Sequence, residues 1–202
     1  MAAQWVSPGT DEYEATVRVL DAIAVQLGRL ASEEIPVLWR PLHEAGGEWF
    51  WWGEKGAGPA KALWDIMYDR LTFSNGLHNL IWVWSTPEAD WYPGNDKVDV
   101  FGFDSYPGAF DYESQKVWFE SMWDTCGGER LLALSENGAI PDIDSLFSED
   151  CVWSYFSTWN AMLTNKNSSA HIQDVYSNRN VVTLPVPGVT VTTNGWIPYY
   201  WL

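Results

Sequence analysis

Cationic side chains are scarce in this sequence: 11 Lys and Arg stand against 27 Asp and Glu, a formal net charge of −16 and an isoelectric point near 4.3. A negative field of that size repels phosphate backbones and anionic lipid, which counts against nucleic acid and membranes as partners, but it does not repel a neutral polymer. Long apolar runs are also missing. No stretch approaches the roughly 18 consecutive apolar residues of a membrane span. The opening Met1-Ala-Ala-Gln-Trp5 has neither the charged region nor the apolar core of a signal peptide. Cysteine is nearly absent. Cys126 and Cys151 could close one disulfide loop of about 26 residues, worth about 3 kcal/mol in the chain-entropy model if the compartment is oxidising; two free buried thiols are the alternative. No low-complexity tract or linker interrupts the chain. With 47% hydrophobic and only 19% charged residues, its 202 residues read as one globular domain rather than a disordered acidic tail.

One residue type is in excess: the chain has 15 Trp. Trp joins a large flat apolar face to one N–H donor, which suits half-wet sites. Pyranose rings present apolar C–H faces that can lie on such a surface, so the excess fits a carbohydrate site. Trp is also an ordinary core residue, so position rather than number has to decide. Asn167-Ser168-Ser169 forms an N-glycosylation sequon, a pattern that also arises by chance.

Helix and strand patterns alternate along the chain. Residues 10–31 read as a helix, with Thr10 as cap, Asp11 and Glu12 at the positive end of the dipole, and Val17, Leu20, Ile23, Ala24, Leu27 and Leu30 at helical spacing. Residues 35–42 read as a buried strand, followed by a Gly- and Trp-rich loop. Pro59 opens a second helix carrying Leu63, Met67, Tyr68 and Leu71. Further strands are expected over 79–84, 98–104, 131–136 and 152–159, with helices over 112–126 and 169–176. The tail over 181–202 reads only as extended. Such alternation implies a parallel sheet with right-handed crossovers. Between a doubly wound sheet and a (β/α)8 TIM barrel, the barrel is favoured. The Gly-rich phosphate turn of nucleotide-binding sheets is missing, and polar residues fall at the C-terminal ends of several strands: His43-Glu44, Ser85, Asp104-Ser105-Tyr106, Glu136 and Asn160. That is where a barrel builds its active site.

Two constellations carry chemistry. In the first, a strand ends in His43-Glu44 and opens into a loop with Trp49, Trp51 and Trp52. Desolvation by aromatics favours the protonated form of a carboxyl, the form a general acid needs. His43-Glu44 also begins a zincin motif, but Gly47 stands where the second His would be, so no metal is expected. In the second, Glu136 ends an apolar strand just before Gly138. Either carboxylate alone is a weak signal. Together, at two strand tips of one barrel, they match the pair that glycoside hydrolysis requires on opposite sides of one bond.

At this point the residues resemble a known family. The segments WRPLHEAGGEWFWWG (39–53), GLHNLIWVWS (76–85), DVFGFDSYPG (99–108), LALSENG (132–138) and YFSTWN (155–160) are similar to glycoside hydrolase family 26. Its best-known members are secreted endo-β-1,4-mannanases, with a (β/α)8 barrel and a retaining mechanism. The resemblance implies that Glu44 ends the fourth barrel strand as acid/base and Glu136 ends the seventh as nucleophile. It implies that His43 contacts the reacting sugar and the catalytic centre, that Trp49 is a sugar platform on the leaving-group side, that Tyr106 hydrogen-bonds the nucleophile, and that Trp159 is the floor beneath the sugar being cleaved. Arg40 and Asp104 also match family positions, with an orienting role. No cofactor is implied. The implied partner is β-mannan or a related β-glycan, such as β-1,3-xylan or mixed-linkage glucan, and a non-catalytic carbohydrate-binding fragment is the reading from another class. By this resemblance the chain is a partial catalytic domain, truncated at the N-terminus, with strands four to eight present and the signal peptide lying with the missing part.

Overall fold

A computed structural model describes residues 3–183. Thr10 accepts the Tyr13 amide at 3.2 Å and starts α1 (Asp11–Ser32), whose buried stripe Leu20, Ala24 and Leu27 enters the main core. The apolar run that follows yields only a three-residue strand, β1 (Val37–Trp39). Pro36 and Pro41 have no N–H to give the ladder, and Leu42 turns the chain with a φ of 55°. α2 (Ala57–Asp69) begins two residues before Pro59, which still falls in the first turn, where a missing N–H costs nothing. It runs on into a π-helical turn, Arg70–Ser74. Arg70 Nε and Nη2 each donate to the Asp21 carboxylate at 2.7 Å, tying that turn to α1.

The remaining strands are β2 (Leu80–Trp84), β3 (Val100–Ser105), β4 (Leu131–Asn137) and β5 (Phe156–Thr158). α3 (Lys116–Thr125) starts four residues later than the sequence suggests, because Gln115 sits at a φ of 60° just before it. Two short helices, α4 (Ile143–Ser148) and α5 (Met162–Lys166), were not anticipated; five or six residues are too few to show a helical period. α6 (Ser169–Ser177) closes the described chain, capped by Ser168. Most of the tail over 181–202 lies outside the described residues.

All four strand pairings are parallel, and the sheet order is β1-β2-β3-β4-β5. A doubly wound sheet reverses its order at a switch point. Here each strand lies beside its predecessor, which fits a partial (β/α)8 barrel. One face packs Trp82, Trp84, Phe101, Leu132 and Leu134 against Leu20, Trp64, Met67 and Met122 of the helices. The other is lined by smaller residues, Val83, Val100 and Ala133, with Tyr155 beside them. At the lower end of that second face Leu38, Ile81 and Leu131 are open to solvent. Its upper end leads to the site.

Three expectations meet a direct answer. Cys126 and Cys151 are both free and buried, so the disulfide does not form and each acts as a small core residue. Asn167 of the sequon is 2% exposed. Its Nδ2 donates to the Gly138, Met162 and Leu163 carbonyls, and its Oδ1 accepts the Ile140 amide at 2.7 Å. It is a structural brace rather than a surface acceptor. Among the described residues, no helix is long and apolar enough to cross a membrane.

Candidate active site

The backbone of β4 does what its sequence pattern alone would not. Along a strand, side chains alternate faces, so in a regular β4 Glu136 would join Leu132 and Leu134 on the helix-packed face. The register with β3 instead jumps from Phe103↔Leu134 to Asp104↔Glu136. Ser135 is the extra residue of a β-bulge, and the bulge turns Glu136 onto the face of Asp104. Ser135 then fills the space left by Gly102: a Cβ built there would lie 2.4 Å from Ser135 Oγ. From that position Ser135 Oγ donates to Asp104 Oδ1 at 2.6 Å.

Arg40, just past β1, reaches across the strand tips. Its Nη1 donates to Asp104 Oδ2 at 2.9 Å and to Ser85 Oγ at 3.1 Å, and its Nη2 donates to Glu136 Oε1. Tyr106 OH donates to the other oxygen, Glu136 Oε2. Both carboxylate oxygens of the buried Glu136 are therefore held, one by a cation and one by a phenol. Burial is the largest influence on Asp104 and pushes its carboxyl up to about 6, against the opposing pull of Arg40 and Ser135. For Arg40 burial works against the charge, but Asp104 and Glu136 outweigh it and its guanidinium ends above the ordinary value. Burial, then the bond to Glu136, holds the Tyr106 phenol above its ordinary value, so it remains a donor.

Glu44 stands in the left-handed region, φ 53° and ψ 32°, which costs a non-glycine residue about 1–3 kcal/mol unless neighbours enforce it. The end of β2 enforces it. The Glu44 amide donates to Ser85 O at 3.0 Å, and the Ala45 amide donates to Thr86 Oγ1 at 2.8 Å. Beyond the turn, Trp49 folds back so that its Nε1 donates to Glu44 Oε2 at 3.2 Å. Only glycine permits this at position 47, where a Cβ would lie 2.1 Å from the Trp49 ring.

The outcome is a three-carboxylate cluster. One oxygen from each of Glu44, Asp104 and Glu136 lies within 4.8 Å of the other two. Carboxylates this close are also the donor set of a hard cation, but two of the three already share the guanidinium of Arg40.

The other expected residues divide. Trp49, Tyr106 and Trp159 are 67%, 42% and 50% exposed, so none of the three is a buried core residue. The Trp159 amide donates to Asn137 O at 2.9 Å, which sets its backbone beside the β4 tip. His43 packs its ring against Phe50 and Trp52, with centroids 4.7 and 5.6 Å away, and its carbonyl accepts from Trp52 Nε1. These contacts fasten His43 to the aromatic loop rather than to either glutamate. Sequence reasoning missed Thr86, Ser135 and Gly102. A glycine inside the strand run Val100–Ser105 is a known mark of close approach and was the one available signal.

Comparison with known proteins shows which family the chain resembles. The family model for glycosyl hydrolase family 26 matches residues 3–184. A mannan endo-1,4-β-mannosidase of Thermothelomyces thermophilus is 41% identical over 187 residues, covering 91% of this chain and 38% of that protein. A crystal structure of a β-(1,4)-mannanase from Podospora anserina aligns with a TM-score of 0.80 at 41% identity, over 85% of this chain and 39% of that one. A β-mannanase from a symbiotic protist of the termite Reticulitermes speratus, solved with a gluco-manno-oligosaccharide, aligns with a TM-score of 0.82 at 39% identity. That alignment covers 89% of this chain and 57% of the other. The chain thus spans well under two thirds of the length of each of these relatives.

Proposed function

Because this chain belongs to glycosyl hydrolase family 26, we propose that it carries the catalytic centre of an endo-acting β-1,4-mannanase that retains configuration. The observation behind the mechanism is the spacing of Glu44 and Glu136, whose nearest oxygens lie within 4.8 Å. Retaining glycosidases place their carboxyl groups about 5–5.5 Å apart, whereas inverting ones need about 6.5–9.5 Å to admit a water between carboxylate and sugar.

Glu136 attacks the anomeric carbon of a mannosyl unit as the bond to the leaving oxygen breaks, and Glu44 gives that oxygen its proton. Glu44, now ionised, takes a proton from water; the water oxygen attacks the same carbon, and the Glu136 ester is released. Arg40 and Tyr106 hold Glu136 in line for the attack. As the ester forms, their bonds to the carboxylate weaken, and they strengthen again as it leaves. Asp104 keeps Arg40 in place. Trp49 carries the departing sugar, Trp159 lies beneath the sugar being cleaved, and His43 touches the reacting unit. The substrate is β-mannan or glucomannan, a reading supported by the names of the relatives. A polymer of that kind is met outside the cell, so we place the enzyme there.

The test is a pair of variants on two substrates. Glu136→Ala should abolish turnover of every substrate, because no ester can form. Glu44→Ala should spare the first step on an aryl mannoside with a good leaving group and slow the second, giving a burst of phenol. Hydrolysis of mannan should fall far more. Equal losses on both substrates without a burst would overturn the assignment of Glu44.

A further inference from the structure

Two buried serines come close to one glycine in β3. A Cβ built on Gly102 would lie 2.4 Å from Ser135 Oγ and 3.3 Å from Ser85 Cβ, so the bare backbone there makes room for both side chains. The two serines serve opposite ends of one ion pair. Ser135 Oγ donates to Asp104 Oδ1 at 2.6 Å, Arg40 Nη1 donates to Asp104 Oδ2 at 2.9 Å, and Ser85 Oγ accepts from the same Nη1 at 3.1 Å. Among the described residues Ser135 is the only donor to Oδ1. The Asp104 side chain is 3% exposed and Ser135 is buried, so water does not stand in for that hydroxyl.

The charge of Asp104 hangs on few groups. Facing it are Arg40, Ser135, Glu136 and Glu44, and the phenols of Tyr106 and Tyr155. Burial holds both phenols above their ordinary value, so they stay neutral. Burial is also the largest influence on Asp104, with Glu136 and Glu44 adding to it; only Arg40 and the Ser135 hydroxyl favour the anion. That charge is felt at Glu136 because the guanidinium is shared, Nη1 with Asp104 and Nη2 with Glu136. Divided between two carboxylates, one cation neutralises neither, and Glu136 keeps electron density for attack. A protonated Asp104 leaves the whole cation to Glu136, and a fully paired anion is a poorer nucleophile.

We propose that Ser135 is a positioning residue for the first chemical step: its hydroxyl keeps Asp104 an anion, and Asp104 keeps part of Arg40 away from Glu136. The acid side of the pH profile is then set at Asp104 rather than at Glu136 itself. For the role of Glu136 this rests on the functional reading above. A hydrogen bond to an ionised carboxylate shifts the balance of its two forms by about tenfold, or about one pH unit. Without the hydroxyl, Asp104 takes up its proton at higher pH, and the acid side of the profile moves up with it.

The experiment compares the full chain with Ser135→Ala, Asp104→Asn and the double variant. The first readout is kcat/KM from pH 4 to 8 on an aryl mannoside with a good leaving group, which isolates the step that Glu136 performs and reports groups of the free enzyme. The second needs no activity: the chain is labelled with carboxyl-13C aspartate, and the Asp104 signal, assigned by its loss in Asp104→Asn, is followed against pH by NMR. In the parent that signal should titrate at about 6, and the acid limb of kcat/KM should fall with it. Ser135→Ala should move signal and limb up together by about one unit, a loss of about tenfold at pH 5 that shrinks as pH rises to 8. Asp104→Asn should be slow at every pH and lack that limb, and Ser135→Ala should add nothing to it. A loss equal at all pH, with signal and limb unmoved, would make Ser135 a support of the bulge. A signal that moves without the limb would place the acid side elsewhere. Either result in an active parent overturns this inference alone. A parent that cleaves no mannoside at any pH overturns the functional reading and the inference with it, whatever the Asp104 signal does.

Discussion

Thr86→Val separates the positioning of Glu44 from its chemistry. Valine keeps the shape of threonine and removes only Oγ1, the acceptor of the Ala45 amide at 2.8 Å. Ala45 is fully buried and Thr86 is 1% exposed, so water cannot take over the bond. Leaving a buried N–H unsatisfied costs about 1–3 kcal/mol. At about 2 kcal/mol, and with about 2–4 °C lost per kcal/mol in a domain of this size, the melting temperature should fall by about 4–8 °C. The effect on catalysis should be larger and selective. Glu44 is held in the left-handed region by this bond and by Ser85 O; with one of the two gone the turn can relax. A shift of about 1 Å in a catalytic group can cost about 10²-fold in rate. Mannan, whose leaving group needs the proton, should suffer that loss. The burst on an activated aryl mannoside, which barely needs it, should fall by less than about tenfold. Thr86→Ser retains the oxygen and should behave nearly as the parent. Steady-state and burst kinetics with a thermal melt decide it. If Thr86→Val lost activity equally on both substrates, or Thr86→Ser failed to rescue, the idea that the β2 tip aims Glu44 would be wrong.

Two other outcomes are expected. Asp104 titrates at about 6 in the folded protein, above its ordinary value near 3.8, chiefly through burial. Between those values the folded state binds a proton that the unfolded state does not, so this group favours the folded state as pH falls from 7 toward 4. The melting temperature of the parent relative to Asp104→Asn should therefore rise over that range, and a flat difference would contradict the shift. Asn167→Ala strands the Ile140 amide and three carbonyls around the loop that follows Glu136. It should cost about 3 kcal/mol in urea unfolding, and mass spectrometry of folded protein from a glycosylating host should find no glycan on Asn167.

Much of this protein was legible in its sequence because the signals are local. Helical spacing in residues 10–31, the apolar strand runs and their alternation reflect burial over a few neighbouring residues, and they sufficed for a parallel α/β sheet. The stretch from Arg40 to Gly53 likewise holds an acid, its turn and its aromatic loop within one short segment, and it points to sugar chemistry once Glu136 is set beside it. What the tertiary structure decided depends on register between strands far apart in the chain. Ser135 is an ordinary strand residue until β3 and β5 pair around it; only then does the bulge send Glu136 from the helix-packed face to the site. Arg40 is one more cation until the sheet sets it within reach of Asp104, Ser85 and Glu136 at once. Thr86 is a loop threonine until its oxygen meets the amide after Glu44. A side chain's chemistry is carried by its type, but its direction is set by which strand lies next to it and in which register, and that is a property of the assembled sheet.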